Sequence, residues 1–143
     1  MLDPEKFKGL FSEGWWDKLK PWFESKEAFD VYQVLKQRSS NGARIFPDSS
    51  KTYRAFRLTE PNNINAIIVG LSPYHTIGKN GHPSADGLAF SNSLTKEESP
   101  SLKLFYDAIE KDLDKEVERN PDLSYLAEQG VLLLNYSLTT EYG

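Results

Sequence analysis

Apolar positions recur in distinct patterns along the chain, and the change of pattern divides it. From Glu13 to Ser25, Trp15, Trp16, Leu19, Trp22 and Phe23 stand at roughly helical spacing, which predicts an amphipathic helix with a kink or restart at Pro21. Ahead of it, Asp3-Pro4 has the form of an N-cap followed by proline at the first helical position. Ser25 caps a further predicted helix, where Ala28, Val31, Tyr32 and Leu35 fall at i, i+3, i+4 and i+7. The stretch Arg38 to Lys51, with Ser39-Ser40-Asn41-Gly42 and Pro47-Asp48-Ser49-Ser50, is turn-rich and reads as loop, with a short helix over Thr52 to Leu58 after it.

The period then changes. Asn65 to Val69, Asn-Ala-Ile-Ile-Val, is a short apolar run with β-branched residues, the pattern of a strand buried on both faces. Val131 to Asn135, Val-Leu-Leu-Leu-Asn, is a second run of this kind. Between them Pro100 opens a helix whose stripe is Leu102, Phe105, Tyr106, Ile109, Leu113 and Val117, stopped at Asn120-Pro121. Asp122 then caps a short helix ending at Gly130, which suits a left-handed C′ position. Strand, helix, strand is a βαβ unit with a right-handed crossover. The fold class is α/β, a central parallel sheet flanked by helices, with 1–60 mainly helical and 61–143 forming the βαβ unit. In such sheets ligands sit beyond the carboxyl ends of the strands. The loop between 70 and 99 starts there, and a loop of that length in a compact domain usually serves a function.

Composition narrows the chemistry. A chain of 143 residues, 38% hydrophobic and 27% charged, suits one soluble globular domain. The absence of cysteine removes disulfides, thiolate metal sites and cysteine nucleophiles, and His75 and His82 leave little room for an imidazole metal site. No apolar run approaches a membrane span and the N-terminus lacks a secretory pattern, so an intracellular protein without membrane contact is expected. The net charge of −4 argues against a blanket electrostatic grip on nucleic acid but leaves local phosphate contacts open. The three tryptophans read as helix-packing residues. Taken singly, Phe90 reads as core, Asn135 as a turn cap and Ser101 as a helix-start serine.

Order lifts these residues above that reading. Gly70-Leu71-Ser72-Pro73-Tyr74-His75 follows the first strand, Gly87-Leu88-Ala89-Phe90-Ser91 comes next, Pro100-Ser101-Leu102 opens the long helix, and Gln129 to Asn135 leads into Leu138-Thr139. Together with Ala55-Phe56-Arg57-Leu58-Thr59, these segments resemble the family 1 uracil-DNA glycosylases, over roughly residues 52 to 143 and more loosely over the N-terminal helices. The resemblance implies a uracil-DNA glycosylase-like fold and hydrolysis of the N-glycosidic bond in base-excision repair, with no metal or organic cofactor. It implies that Phe90 stacks on the extruded base, that Asn135 reads its O4 and N3 edge, and that Tyr74 fills the space beside C5 to exclude thymine. It places Leu71 beside the same site, Ser101 on a DNA phosphate and His75 by the phosphate or sugar.

Two departures bear on activity. Ser72 stands where the family has an aspartate that positions water and stabilises the positive charge growing on the sugar. A serine hydroxyl carries no charge and accepts no proton at neutral pH, and loss of a general base typically costs about 10²–10⁴ in rate. Leu71 replaces a glutamine of the family motif. Asp86, the nearest carboxylate after the motif, lies where the family tolerates several residues and is not expected to substitute. The second departure is length: the chain ends at Gly143, before the family's late His-Pro-Ser-Pro-Leu loop, and His82-Pro83-Ser84 reads as a chance likeness to it. The expectation is roughly the first two thirds of the family fold, recognising uracil-containing DNA with activity weakened or lost. The alternative is a non-catalytic module for uracil-DNA or a protein partner. A half-built sheet further implies self-association through its open side.

Overall fold

The computed structural model describes residues 1–143. Three serines start the principal helices. Ser12 accepts a hydrogen bond from the Trp15 amide at the head of α2 (Glu13–Phe23), and Ser25 from the Ala28 amide at the head of α3 (Lys26–Ser40). Ser99 accepts from the Leu102 amide at 3.1 Å at the head of α5 (Pro100–Leu113). Each such cap is worth about 1 kcal/mol. A short α1 (Glu5–Lys8) precedes them, with the Glu5 amide bonded to the Asp3 carboxylate. Helices α4 (Arg54–Leu58) and α6 (Ser124–Glu128) each span five residues. The strands are β1 (Ile45–Phe46), β2 (Ala66–Gly70), β3 (Val131–Asn135) and β4 (Thr140–Glu141).

Strands β2 and β3 pair in parallel, Ala66 opposite Val131 through Gly70 opposite Asn135, with α5 in the crossover. Leu132 and Leu133 are buried against Leu88, Ala89, Leu102, Tyr106, Leu123 and Ala127. A second cluster of Phe11, Trp16, Phe23, Tyr53 and Phe56 joins the N-terminal helices to α4. Trp15 bridges the two, its indole N–H donating to the Thr59 carbonyl at 2.7 Å. The tryptophans therefore pack the helices as expected, apart from Trp22, which is 40% exposed. Antiparallel β1 and β4 form a ribbon clamped by a two-pronged Arg38–Glu141 ion pair.

Several local expectations are corrected. Helix α2 runs unbroken through Pro21, which forgoes the one ladder bond its missing N–H would donate and stands only two residues from the helix end, so little helix follows it. Helix α3 takes in Ser39 and Ser40, and the segment after it holds β1 and a 3₁₀ turn over Ser49–Lys51 rather than loop alone. Val31 of the α3 stripe is exposed. Helix α5 stops at Leu113, because Asp114 adopts a left-handed conformation (φ 53°); Val117 lies beyond it, its amide held by the Glu110 carboxylate. Strand β2 is not buried on both faces. Ile67 and Val69 are 58% and 60% exposed, since β2 pairs only with β3 and nothing among these residues lies over them.

Candidate functional site

The carboxyl ends of β2 and β3 meet at Gly70 and Asn135, which are register partners. A Cβ on Gly70 would sit 2.3 Å from Asn135 Oδ1 and 3.2 Å from Ala89 Cβ. The missing side chain is what allows the Asn135 amide and the 88–90 segment to approach the strand end together. The pairing continues past the strands: the Tyr136 amide donates to the Gly70 carbonyl at 2.8 Å and the Ser137 amide to the Leu71 carbonyl at 3.0 Å.

The 88–90 segment is laid over β3 by a bond from the Ala89 amide to the Leu133 carbonyl (3.1 Å). Phe90 follows with φ 66°, in the left-handed region that bulky residues rarely occupy. Its ring stacks on Phe105 of α5, centroids 5.6 Å apart and planes 20° from parallel. The Tyr74 hydroxyl donates to the Phe90 carbonyl at 2.8 Å and accepts from Ser99 Oγ at 2.6 Å. Tyr74 thus joins the motif after β2, the aromatic segment and the cap of α5. Burial pushes the Tyr74 phenol above its ordinary pKa; the Ser99 bond opposes this in part and the Asp86 charge adds to it. Tyr74 is neutral at physiological pH and serves as a fixed ring.

Tyr74, Phe90 and Asn135 therefore come together. The other sequence-selected residues are exposed to solvent. Leu71 is 81% exposed, Ser72 and His75 are exposed, and Ser101 lies exposed on the first turn of α5. The Ser72 hydroxyl makes one long bond, 3.4 Å to the carbonyl of Pro73. His82-Pro83-Ser84 belongs to a small hairpin in which Ile77 pairs with Pro83 and the Thr76 and Ser84 hydroxyls meet at 3.0 Å.

One residue of the site was not selected from sequence for its structural part. Asp86 is buried beneath the 88–93 segment, where its carboxylate accepts bonds from Leu88, Ser91 and Ser93. Enclosed in this way it cannot present an oxygen to a water at the strand ends. The only advance signal was the clustering of Asp86 with Ser91 and Ser93 around a predicted ligand loop.

A groove of about 1060 Å³ shares none of Tyr74, Phe90 or Asn135. It is apolar and runs between the N-terminal helices and residues 136–139. Tyr32 and Tyr53 hydrogen-bond to each other on its wall, and burial raises both phenols above their ordinary pKa. No three His, Asp or Glu side chains are grouped to hold a metal ion, and no helix is long and apolar enough to cross a membrane.

No family model matches the sequence. Individual proteins do. A uracil-DNA glycosylase of Bacillus velezensis is 35% identical over 136 residues, covering 95% of this chain and 57% of that protein. One from Lactobacillus helveticus is 38% identical over 128 residues, covering 89% of this chain and 53% of its own. The crystal structure of mimivirus uracil-DNA glycosylase superposes with a TM-score of 0.84 at 24% identity, over 96% of this chain and 50% of that one. The chain spans a little over half the length of the relatives it matches, less than the two thirds expected from its motifs. In sequence along 95% of its length, and in fold, the chain resembles the uracil-DNA glycosylases.

Proposed function

We propose that this chain recognises uracil in DNA at the ends of β2 and β3, with the glycosidic hydrolysis of its relatives weakened or lost. The observation that carries this is the convergence of Tyr74, Phe90 and Asn135 around Gly70, with Tyr74 bonded to the Phe90 carbonyl and Asn135 crossing the strand end.

Each residue has a part that its surroundings suit. A base inside DNA must be extruded before it can be read, at a cost of roughly a few kcal/mol in stacking. Phe90, backed by Phe105, offers a rigid aromatic platform for it. The Asn135 amide presents one donor and one acceptor, the complement of the uracil O4 and N3–H edge and a mismatch for cytosine. Tyr74 is held at its hydroxyl by Ser99 and Phe90, so its ring cannot easily swing aside for the methyl group of thymine. Ser101, with its hydroxyl and amide on the exposed first turn of α5, suits a DNA phosphate, with His75 beside the phosphate or sugar. Leu71 contributes apolar surface where the family motif has a glutamine.

Hydrolysis is another matter. The family motif that the sequence resembles has a carboxylate where this chain has Ser72, whose hydroxyl meets only the Pro73 carbonyl, and Asp86 is committed elsewhere. A neutral hydroxyl neither accepts the proton of an attacking water nor offsets charge on the sugar. This same observation favours the second reading, a non-catalytic uracil-DNA or protein-binding module. Strand scission after alkali, on single-stranded DNA containing one uracil, tests the loss of hydrolysis, and comparing affinity for uracil and thymine oligonucleotides separates a uracil reader from a protein-binding module. The expected result is scission near background in the wild type and increased in Ser72→Asp. Wild-type turnover at the level of the Bacillus velezensis relative would refute the assignment of Ser72.

A further inference from the structure

The segment carrying Phe90 is organised around one carboxylate. The Asp86 side chain is fully enclosed. Oδ1 accepts from the Leu88 amide at 3.1 Å; Oδ2 accepts from Ser91 Oγ at 2.6 Å, the Ser93 amide at 3.0 Å and Ser93 Oγ at 2.8 Å. Arg54 of α4 places Nη1 3.6 Å from Oδ2 and donates to the Asp86 carbonyl at 3.0 Å. A charge is retained in a dry interior only when its lone pairs are filled and a counter-charge is near, and both conditions are met here.

The donors straddle Phe90: one lies two residues before it, the others one and three residues after. Phe90 itself is in the left-handed region, a conformation that costs an aromatic residue free energy and persists only when its surroundings impose it. Ser91 Oγ carries the restraint into the core by also accepting the Leu123 amide at 3.0 Å, and Leu123 is fully buried. On the other side Tyr74 holds the Phe90 carbonyl. An asparagine could turn its oxygen to the three donors at Oδ2, but its nitrogen would then face the Leu88 N–H in place of Oδ1 and the charge opposite Arg54 would be lost.

We infer that Asp86 is a positioning residue for Phe90, fixing the left-handed turn that sets the ring on Phe105 and, through it, the selectivity of the base pocket. This rests on the uracil reading for its consequence, but not for its geometry. The test uses Asp86→Asn, Phe90→Ala and the double variant, with affinities for uracil- and thymine-containing single-stranded oligonucleotides read by fluorescence anisotropy. Asp86→Asn should lower the uracil-over-thymine ratio tenfold or more, and should add nothing in the Phe90→Ala background. A crystal structure of Asp86→Asn should show Phe90 out of its left-handed conformation or off Phe105. Ser93→Ala, which deletes one bond and leaves the charge beside Arg54, should give a smaller loss and serves if Asp86→Asn does not fold. An unchanged ratio in the folded single variants, an equal further loss in the Phe90→Ala background, or an unmoved Phe90 would each overturn the inference. If the wild type itself shows no uracil preference, the functional reading falls, and the Phe90 conformation in Asp86→Asn decides the positioning role by itself.

Discussion

Gly70→Ala separates recognition from stability. The new Cβ would lie 2.3 Å from Asn135 Oδ1, so that oxygen must retreat by about 1 Å to reach ordinary contact distance. A hydrogen bond of ordinary length lengthened by that amount is lost, and two such bonds to a base edge are worth about 1–3 kcal/mol together. The affinity for a uracil-containing oligonucleotide should therefore fall roughly 5- to 150-fold, in line with the cost of misplacing a recognition group by about 1 Å. Folding should change little. The atom that must move is the end of a flexible side chain, and the Ala89 Cβ at 3.2 Å needs to give only slightly. Replacing glycine by alanine in a strand also returns roughly 0.5–1 kcal/mol by restricting the unfolded chain. The assay is anisotropy on uracil and thymine oligonucleotides beside a thermal melt, for Gly70→Ala, Asn135→Ala and the pair. Loss of preference with Tm held within a few degrees, and no added loss in the double variant, is expected. Full preference in Gly70→Ala, or the same loss with Asn135 already removed, would refute the placement of Asn135.

Three further predictions follow from other parts of the molecule. Gly87→Ala should lower stability by about 2–3 kcal/mol and Tm by on the order of 10 °C, because φ is 94° there and the new Cβ would meet the Lys51 backbone carbonyl at 2.3 Å; a melt within 2 °C or so of wild type would contradict this. Burial, with a mutual hydrogen bond, raises the Tyr53 phenol above its ordinary value, and burial also raises Tyr32 and Tyr106. A raised folded pKa of a phenol stabilises the fold fully below the unfolded pKa of about 10 and less above it, so stability should decline as pH rises past 10, with these tyrosines ionising late in an absorbance titration. Finally, no charged residue occurs between Glu60 and Lys79, so the edge formed by exposed Ile67 and Val69 carries none of the charges that guard such strands. Light scattering should show concentration-dependent association that Val69→Lys reduces; a monodisperse wild-type monomer at high concentration would count against it.

The legible parts of the fold were those with local causes. Serine at 25, proline at 100 and glycine at 130 mark helix ends by their own backbone chemistry, and the runs at 65–69 and 131–135 are too apolar and too short for surface helices. What escaped was set by neighbours. An apolar run reads the same whether its second face is covered or open, so the exposure of Ile67 and Val69 was hidden. The end of α5 depends on an aspartate, Asp114, in a left-handed conformation, a position that usually calls for glycine or asparagine. At the site, motif order singled out Tyr74, Phe90 and Asn135, and the structure brings them to one place. It did not disclose why Gly70 must lack a side chain, because Asn135 is distant in sequence, nor that Asp86 is enclosed beneath the loop with Arg54 beside it, because sequence does not tell a buried carboxylate from a solvated one.

The strand ends are proposed to form a uracil-reading pocket. Its most direct test is the ratio of wild-type affinities for two single-stranded oligonucleotides identical but for one uracil or thymine. At least a tenfold preference for uracil is expected, abolished in Asn135→Ala while the melting temperature is kept. Equal affinity for the two oligonucleotides in the wild type would contradict it.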